Sequence, residues 1–183
     1  MTGNMLKLYI EDYLVKKITI NTKRFLLKSL QVEDVSEKYV GWIRESAKEG
    51  FILYDKANLS LLKNYVEDIN SKQDILFLGI YSKDSGEHIG NIKYEPIDIE
   101  NKYSIMGILV GERNWRSKAV ASEVIHTTAI YLKDTLGIKN IYLGVHKSNI
   151  VAVKTYKKIG FKEKPTKYIP IVENDAMTME LKI

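Results

Sequence analysis

The chain has 183 residues and no cysteine, and 45% of its residues are apolar and 28% are charged. This length and balance are typical of one globular domain with a continuous core, rather than of a disordered chain. The absence of cysteine excludes disulfides, a cysteine nucleophile and thiolate metal ligands. The sequence contains neither the roughly 20 consecutive apolar residues of a membrane-spanning helix nor the apolar core of a signal peptide. We therefore expect a cytoplasmic protein that does not contact a membrane.

Positive charge is concentrated in one segment. The net charge is +5, but residues 139–167 alone contain eight lysines and a single acidic residue, Glu163. A local positive field suits a polyanionic partner such as a phosphorylated small molecule, an anionic lipid or a nucleic acid, and a solvated lysine-rich face is an equally good interpretation. No RNA-binding motif or helix-turn-helix pattern accompanies the lysines, so nucleic acid is the weaker choice.

The first elements follow a short N-terminal stretch. The chain lacks repeats and linkers, so we predict an extension over residues 1–23 and a single domain over 24–183. Alternation around Phe25 and Leu27 predicts a short strand. Helical spacing of apolar residues then predicts two helices. Their start signals are Glu33 with Asp34, and Asn58 as an N-cap.

The middle of the chain carries strand signals separated by short turns. Strands are predicted over 75–82, 88–97 and 102–111. The connections are too short for parallel crossovers, so an antiparallel meander is the economical arrangement.

After residue 111 helices and strands alternate. An apolar stripe predicts a helix over 119–136 that ends at Gly137 as its C-cap. A strand over 140–146, a helix over 151–159 and a final strand over 176–183 follow. Together with the meander, this order indicates a mixed α/β sheet with helices on both faces.

Two stretches carry residues suited to chemistry. The first runs from a strand end at Val110 to a helix start near Ala121, with Arg116 and Lys118 beside that start. The unpaired N–H groups and positive dipole end of a helix N-terminus bind phosphate oxygens. Read alone, the stretch is also compatible with an ordinary strand–helix connection.

The second stretch is the helix that follows residue 149. Asn149, Ala152 and Tyr156 recur at spacings of three and four, so they share one face of the helix. The face presents an amide, a residue small enough for close approach and a phenol, which is a suitable proton donor to a departing thiolate. Read alone, this is also the pattern of a packed core stripe.

The two stretches together resemble the GNAT superfamily of N-acetyltransferases. ERNWRSKAVASEVI looks like the family's helix-entry loop and NIVAVKTYKKIGF like its second conserved block, while HIGNIKYEPI and KYSIMGILVG match its third and fourth strands. The likeness runs from about Arg24 to the C-terminus and is greatest to the RimJ/RimL-type branch, which includes protein N-terminal and amino-sugar-nucleotide acetyltransferases. It implies one mixed-sheet domain with a V-shaped cofactor cleft.

The resemblance also implies how acetyl-coenzyme A binds as co-substrate. It would lie between the 102–111 and 140–146 strands, with backbone groups of Ile108 and Val110 pairing with pantetheine. The lysine-rich segment would lie near the phosphates. The residues implied to hold the pyrophosphate are Arg116, Ser117, Lys118, Ala119, Val120 and Ala121.

By the same resemblance, Asn149 would hydrogen-bond the pantetheine arm and Tyr156 would protonate the leaving thiolate. The loop departs from the family pattern, in which glycines stand where this chain has Ser117, Ala119 and Ala121. Alanine tolerates right-handed helical dihedrals, so the turn is expected to form in that conformation. The alanine methyl is expected to crowd the diphosphate.

The acceptor is predicted to be a primary amine on a small molecule or peptide, and a protein N-terminus, an amino-sugar nucleotide, a polyamine and an antibiotic all stay open. An amine attacks only when neutral, and α-amines titrate below lysine amines, so they need less help from a base. Candidate bases are Glu95, Glu100, Glu112, His88 and His146. Glu123 is expected to be a structural ion-pair partner, and no metal is predicted because no histidine has a partner at metal-ligand spacing. The acceptor pocket is expected within residues 31–70, with Tyr39, Trp42, Arg44 and Tyr54.

Two other functions stay open. A non-catalytic acyl-coenzyme A-binding or sensing domain would share the fold, and the missing glycines favour it. A basic RNA- or ribosome-binding protein would show steep salt dependence of RNA binding without any cofactor effect. Assembly as a homodimer is also open.

Overall fold

The computed structural model describes residues 17–49, 57–170 and 175–183, and Tyr54 and the first 16 residues of the predicted extension lie outside them. The described residues form an eight-stranded sheet and four α-helices. The strands are β1 (Thr19–Asn21), β2 (Phe25–Ser29), β3 (Leu76–Ser82), β4 (His88–Asp98), β5 (Tyr103–Val110), β6 (Asn140–His146), β7 (Lys162–Glu163) and β8 (Ala176–Lys182). The helices are α1 (Glu37–Lys48), α2 (Leu59–Asn70), α3 (Val120–Leu136) and α4 (Ile150–Ile159).

The sheet is mixed, as predicted. Its strand order is β1-β2-β3-β4-β5-β6-β8-β7, and every neighbouring pair is antiparallel except β5 and β6, which are parallel. The predicted meander is β3-β4-β5. The parallel pair needs a long crossover, which α3 provides.

The sheet extends further toward the N-terminus than the sequence pattern predicted. Residues Thr19–Asn21, within the predicted extension, pair with β2 in the register Thr19 to Lys28 and Asn21 to Leu26. Ile18 and Ile20 are buried in the core.

Two hydrophobic cores lie on opposite faces of the sheet, which places helices on both. One core joins sheet residues such as Ile92 and Ile141 to α3 through Val124 and Leu132, and α4 packs against it. The other joins Leu30, Ile75 and Phe77 to α1 and α2. These observations confirm the predicted fold class.

Helix boundaries follow the capping groups. Asn58 accepts a hydrogen bond from Leu61 N–H, and Gly137 ends α3 with φ of 67°, both as predicted. The start predicted at Glu33-Asp34 is wrong: these residues form a separate 3-10 turn, and α1 begins at Glu37 because Ser36 accepts from Tyr39 N–H.

Candidate active site

A cleft opens in the middle of the sheet, where β5 and β6 separate. The two strands pair only from Tyr103 to Ile105 on β5 and from Asn140 to Tyr142 on β6. Beyond these residues β5 stays with β4 and β6 stays with β8. The resulting V-shaped gap forms a cavity of about 1130 Å³, as the resemblance implied.

One wall of the cleft is the free edge of β5. The Leu109 carbonyl faces Gly90 of β4, and the Gly111 N–H donates to the Ile89 carbonyl of the same segment. Because backbone groups alternate along a strand, those of Ile108 and Val110 face the opposite edge, toward β6. Both residues line the cleft. Ile108 is therefore placed where a ligand with amide groups can continue the ladder, and Val110 offers its N–H there, because its carbonyl already accepts from Arg116.

The turn between β5 and α3 contains two residues in the left-handed region. Ser117 has φ of 60°, and Ala119 has φ of 57° and ψ of 24°. The expectation of right-handed dihedrals at Ala119 is therefore wrong. Glycine adopts this conformation without steric cost, whereas an L-residue pays about 1–2 kcal/mol. The chain keeps the glycine-type geometry of the loop with other side chains.

The N-terminus of α3 lies directly after this turn. The first hydrogen bond within the helix runs from Glu123 N–H to the Ala119 carbonyl, so the N–H groups of Val120 and Ala121 precede it. The Val120 side chain is buried in the core, which leaves only its backbone to meet a ligand. Lys118 lies over the Trp115 ring, 5.7 Å from its centroid, and does not line the cleft.

Arg116 connects the turn to β5 and α1 through hydrogen bonds and an ion pair. Its guanidinium donates to the carbonyls of Val110 at 3.1 Å and Gly111 at 3.2 Å, and it pairs with Glu45 of α1 at 3.3 Å. Arg116 lines the cleft. These bonds hold the loop against the end of β5 and engage Nε and Nη2 of the guanidinium with protein groups.

The second wall carries Asn149 and Tyr156. Asn149 is the N-cap of α4, where its Oδ1 accepts from Ala152 N–H at 3.1 Å, so Nδ2 is the group that can donate to a ligand. Tyr156 lies further along α4 and also lines the cleft. Its ring packs against Phe161, with ring centroids 5.6 Å apart. Burial raises the pKa of Tyr156 to about 12, so the phenol keeps its proton at neutral pH.

The structure separates the candidate bases. Of the five, all of which are described, only His146 lines the cleft. His88 hydrogen-bonds Gly90 and Asn91 behind it, and Glu100 lies in the exposed β4–β5 turn. Glu95 pairs with Lys93, and Glu112 pairs with Lys38.

Glu123 has the structural role predicted for it. It accepts from the Thr22 hydroxyl, the Arg24 N–H and the Arg24 guanidinium, each at 2.7 Å. Burial opposes ionisation, but these three hydrogen bonds outweigh it and hold the pKa of Glu123 below its usual 4.5.

Of the described residues predicted to bind the acceptor, some line the cleft and others lie outside it. Tyr39 lines the cleft. Trp42 is instead buried against Gly111, and the Arg44 guanidinium donates to the Ala57 carbonyl at 2.7 Å. Trp42 and Arg44 therefore hold α1 in place rather than lining the cleft.

Several cleft residues were missed by the sequence analysis. They include Ser46 of α1, Glu49 at its C-terminal end, and Asn91 and Lys93 of β4. A signal for the β4 pair was present, since Asn91 and Lys93 alternate with Ile92 and Tyr94, which are buried in the core. Nothing in the helical spacing of α1 distinguished Ser46 and Glu49 from surface residues.

The lysine-rich segment does not gather at the cleft. In the described ranges none of its eight lysines lines the cavity, and Lys164 pairs with the buried Glu180 at 2.7 Å. The described residues also contain no group of three or more potential metal ligands and no helix long and apolar enough to span a membrane.

Comparisons with known proteins agree with this architecture. A family model described as an acetyltransferase (GNAT) domain matches residues 27–166, more than half of the chain. An uncharacterised N-acetyltransferase, p20, of Bacillus licheniformis is 23% identical over 151 residues, covering 79% of this chain and 83% of the relative.

Solved structures of acetyltransferases share the fold. RimL, a ribosomal alpha-N-protein acetyltransferase solved with coenzyme A, has a TM-score of 0.77 at 10% identity, over 91% of this chain and 98% of the other. The microcin self-immunity acetyltransferase MccE, solved with acetyl-coenzyme A and AMP, has a TM-score of 0.72 at 18% identity, over 88% and 93%.

The mixed sheet that divides between β5 and β6 is therefore the fold of these acetyltransferases. The chain belongs to the GNAT acetyltransferase family. The predicted class of enzyme is thereby confirmed.

Proposed function

We propose that this chain transfers the acetyl group of acetyl-coenzyme A to the primary amine of a protein N-terminus or an amino-sugar nucleotide, within the RimJ/RimL-type branch. The observation that carries the proposal is the free edge of β5, which ends at Val110 and leads through the turn at Ser117 and Ala119 to the N-terminus of α3. One side of the cleft thus offers backbone groups to an amide-containing arm, and its end offers N–H groups to phosphate oxygens.

The residues present fit acetyl-coenzyme A. Ile108 and Val110 present strand-edge backbone groups, and Ser117 lines the cleft. Asn149 presents Nδ2, and Val120 and Ala121 carry the amides at the start of α3. Arg116 contributes by holding the loop and adds positive charge beside it.

The reaction joins the amine nitrogen to the acetyl carbon and breaks the bond between that carbon and sulfur. Tyr156 donates its proton to the departing sulfur, and the cleft keeps the phenol protonated until then. The amine loses one proton on forming the amide. His146 is the candidate base whose position in the cleft supports a role in accepting it.

Ligand-induced stabilisation tests the proposal. A ligand that binds only the folded state stabilises it by about 2.7 kcal/mol at 100 times its Kd. Acetyl-coenzyme A and free coenzyme A should therefore both raise the Tm, since most contacts go to phosphate and pantetheine. Absence of a shift at millimolar ligand, with calorimetry also silent, would refute the proposal.

Turnover separates an enzyme from a binding domain. Thiol release should be measured with N-terminal peptides, amino-sugar nucleotides and polyamines as acceptors. Release that depends on one of the first two classes supports the proposal. Tight binding of acetyl-coenzyme A without release for any acceptor would favour the sensing domain.

A further inference from the structure

Asn91 is a buried amide at the floor of the cleft. It is 3% exposed and lies on the face of β4 turned away from the core that α3 covers. In the β4–β5 ladder it stands opposite Leu109, beside the free edge of β5. Its side chain lines the cleft that the proposed function assigns to acetyl-coenzyme A and the amine.

His88 determines which end of this amide is available. The His88 Nε2 lies 2.9 Å from Asn91 Oδ1 and 3.0 Å from the Gly90 carbonyl oxygen. Two acceptors on one nitrogen require that Nε2 carries the hydrogen. Burial lowers the pKa of His88, which keeps the ring in this neutral form. Asn91 Oδ1 is thereby occupied, and Nδ2 is the end left over.

The His88 ring itself is fixed by packing. It stacks on Tyr81 with ring centroids 4.8 Å apart and meets the edges of Trp42 at 5.2 Å and Tyr39 at 5.9 Å. A ring held on three sides cannot turn to offer Asn91 a different partner. The orientation of the amide is thus set by the fold.

Asn91 Nδ2 is buried and has no hydrogen-bond partner within the described parts of the chain. A buried donor without an acceptor destabilises a fold, because it gives up its bonds to water and gains none. Asn91 lines the cleft whereas His88 does not. A group entering the cleft is therefore the partner that the position lacks.

We propose that Asn91 determines acceptor specificity by donating a hydrogen bond from Nδ2 to an oxygen that the amine substrate carries close to its nitrogen. The inference rests on the proposed function. The acceptor is then an amine with a neighbouring carbonyl, hydroxyl or phosphoryl oxygen, and a polyamine, which has no oxygen, is not a substrate.

Lys93 supports the same chemistry. It follows Asn91 on the same face of β4 and also lines the cleft. Its Nζ bonds the Tyr65 hydroxyl at 2.6 Å and pairs with Glu95, so it is a fixed cation. Two successive side chains on this face are thus hydrogen-bond donors, which suits an oxygen-bearing ligand better than a cationic one.

The Asn91→Asp variant tests the donor. Aspartate keeps the shape and the bond from His88 but replaces the free donor with an acceptor. The loss of one buried hydrogen bond should lower kcat/KM for the acceptor by about 10-fold to 100-fold, mainly through KM. Acetyl-coenzyme A affinity, measured by calorimetry, should not change.

The Asn91→Leu variant separates recognition from structure. Leucine removes the unpaired donor, while His88 Nε2 keeps the Gly90 carbonyl. We expect an equal or higher Tm than wild type together with the same loss in kcat/KM. Asn101→Leu, in the exposed turn after β4, is the matched control and should leave the kinetics unchanged. A lower Tm for Asn91→Leu with an unchanged KM would show a purely structural role and overturn the inference.

Turnover with the different classes of acceptor amine provides a second test. Wild-type enzyme should use N-terminal peptides or amino-sugar nucleotides and not spermidine. Efficient use of spermidine, or wild-type kinetics in Asn91→Asp, would overturn the inference and leave the acetyltransferase assignment intact. Failure of the wild-type protein to bind acetyl-coenzyme A would overturn both.

Discussion

At the scale of single residues, Tyr156 shows how burial prepares a proton donor. The phenol sits against Phe161 beside the cleft, and desolvation raises its pKa to about 12. A group with this pKa is protonated at neutral pH and gives up its proton only to a strong base. The same desolvation raises the pKa of the departing thiol, so a thiolate released in the cleft accepts a proton more readily than it does in water.

Tyr156→Phe should lower kcat while leaving acetyl-coenzyme A affinity nearly unchanged. The hydroxyl acts on a thiolate that exists only late in the reaction, so its loss affects the transition state rather than the bound ground state. General acid catalysis is worth about 10²–10⁴-fold, and because a thiolate leaves fairly well unaided we expect about tenfold to a hundredfold. Steady-state kinetics with both substrates saturating provides the measurement. Wild-type kcat in a folded variant would assign Tyr156 to packing alone.

Ala119 adopts a backbone conformation that is unfavourable for an alanine. Its φ of 57° lies in the region that favours glycine. Ala119→Gly should relieve about 1–2 kcal/mol of steric cost, offset by about 0.4–1 kcal/mol of added unfolded-state entropy. A modest rise in Tm is expected, with coenzyme A binding equal or tighter because the methyl is gone.

Ala121→Gly is the matched control for this prediction. Ala121 lies inside the first turn of α3, where glycine costs up to about 1 kcal/mol relative to alanine. The two substitutions should therefore move the Tm in opposite directions. A fall in Tm for Ala119→Gly of the same size as for Ala121→Gly would contradict the role assigned to the left-handed turn.

At the scale of elements, α1 is docked directly onto the loop that follows β5. The Trp42 ring packs on Gly111 so closely that a Cβ at position 111 would lie 2.0 Å from its Cδ2. Glu45, one turn further along α1, accepts from Arg113 at 2.6 Å and pairs with Arg116. The helix that lines one side of the cleft thus holds the loop that leads to α3.

Gly111→Ala should destabilise this junction. Overpacking of a buried site costs about 1–3 kcal/mol, and here the displaced group is the Trp42 ring against the backbone. A lower Tm with weaker coenzyme A binding is expected, measured by thermal unfolding and calorimetry. Gly107→Ala, where a Cβ meets nothing within 4 Å, is the control for stability. Equal Tm values for the two variants would contradict the close packing.

At the scale of the whole molecule, two carboxylates, one partly buried and one buried, connect distant parts of the chain. Glu123 of α3 joins the β1–β2 turn, and Glu180 of β8 pairs with Lys164 beside β7. Burial opposes ionisation of both, but hydrogen bonds from Arg24 and Thr22 and from Lys164 and Tyr142 outweigh it and lower both pKa values. The unfolded chain therefore binds protons more readily than the folded chain does at acidic pH.

The free energy of unfolding should consequently be retained above pH 4.5, the ordinary value of these groups, and fall as the pH drops through the lower folded-state pKa values. Glu123→Gln should lose about 1 kcal/mol at pH 7, after allowance for solvent screening of the partly exposed Arg24, and show a shallower decline in acid. Denaturant titrations between pH 7 and pH 3 measure both effects. Parallel curves for the two proteins would show that Glu123 contributes nothing to acid sensitivity.

The sequence by itself determined the elements and their class. Apolar periodicity, Asn58 and Gly137 located helices and strands because these signals act over neighbouring residues. The acidic residues Glu33 and Asp34 led to a predicted start of α1 that is too early. A local hydrogen bond from Gln31 N–H to Asp34 closes a separate turn there. The short β1 was missed because three residues paired at a sheet edge carry too little periodicity to stand out.

Only the tertiary structure decided the geometry of the site. The pairing of Arg116 with Glu45 and the packing of Trp42 on Gly111 join residues far apart in the chain. The left-handed conformation of Ala119 is likewise a property of the folded turn that the sequence pattern did not predict. Asn91 is the clearest case, because its alternation with apolar neighbours predicts a face but not the partner of its amide. That partner follows from the position of His88, and no spacing along the chain encodes which end of a side-chain amide a neighbour leaves free.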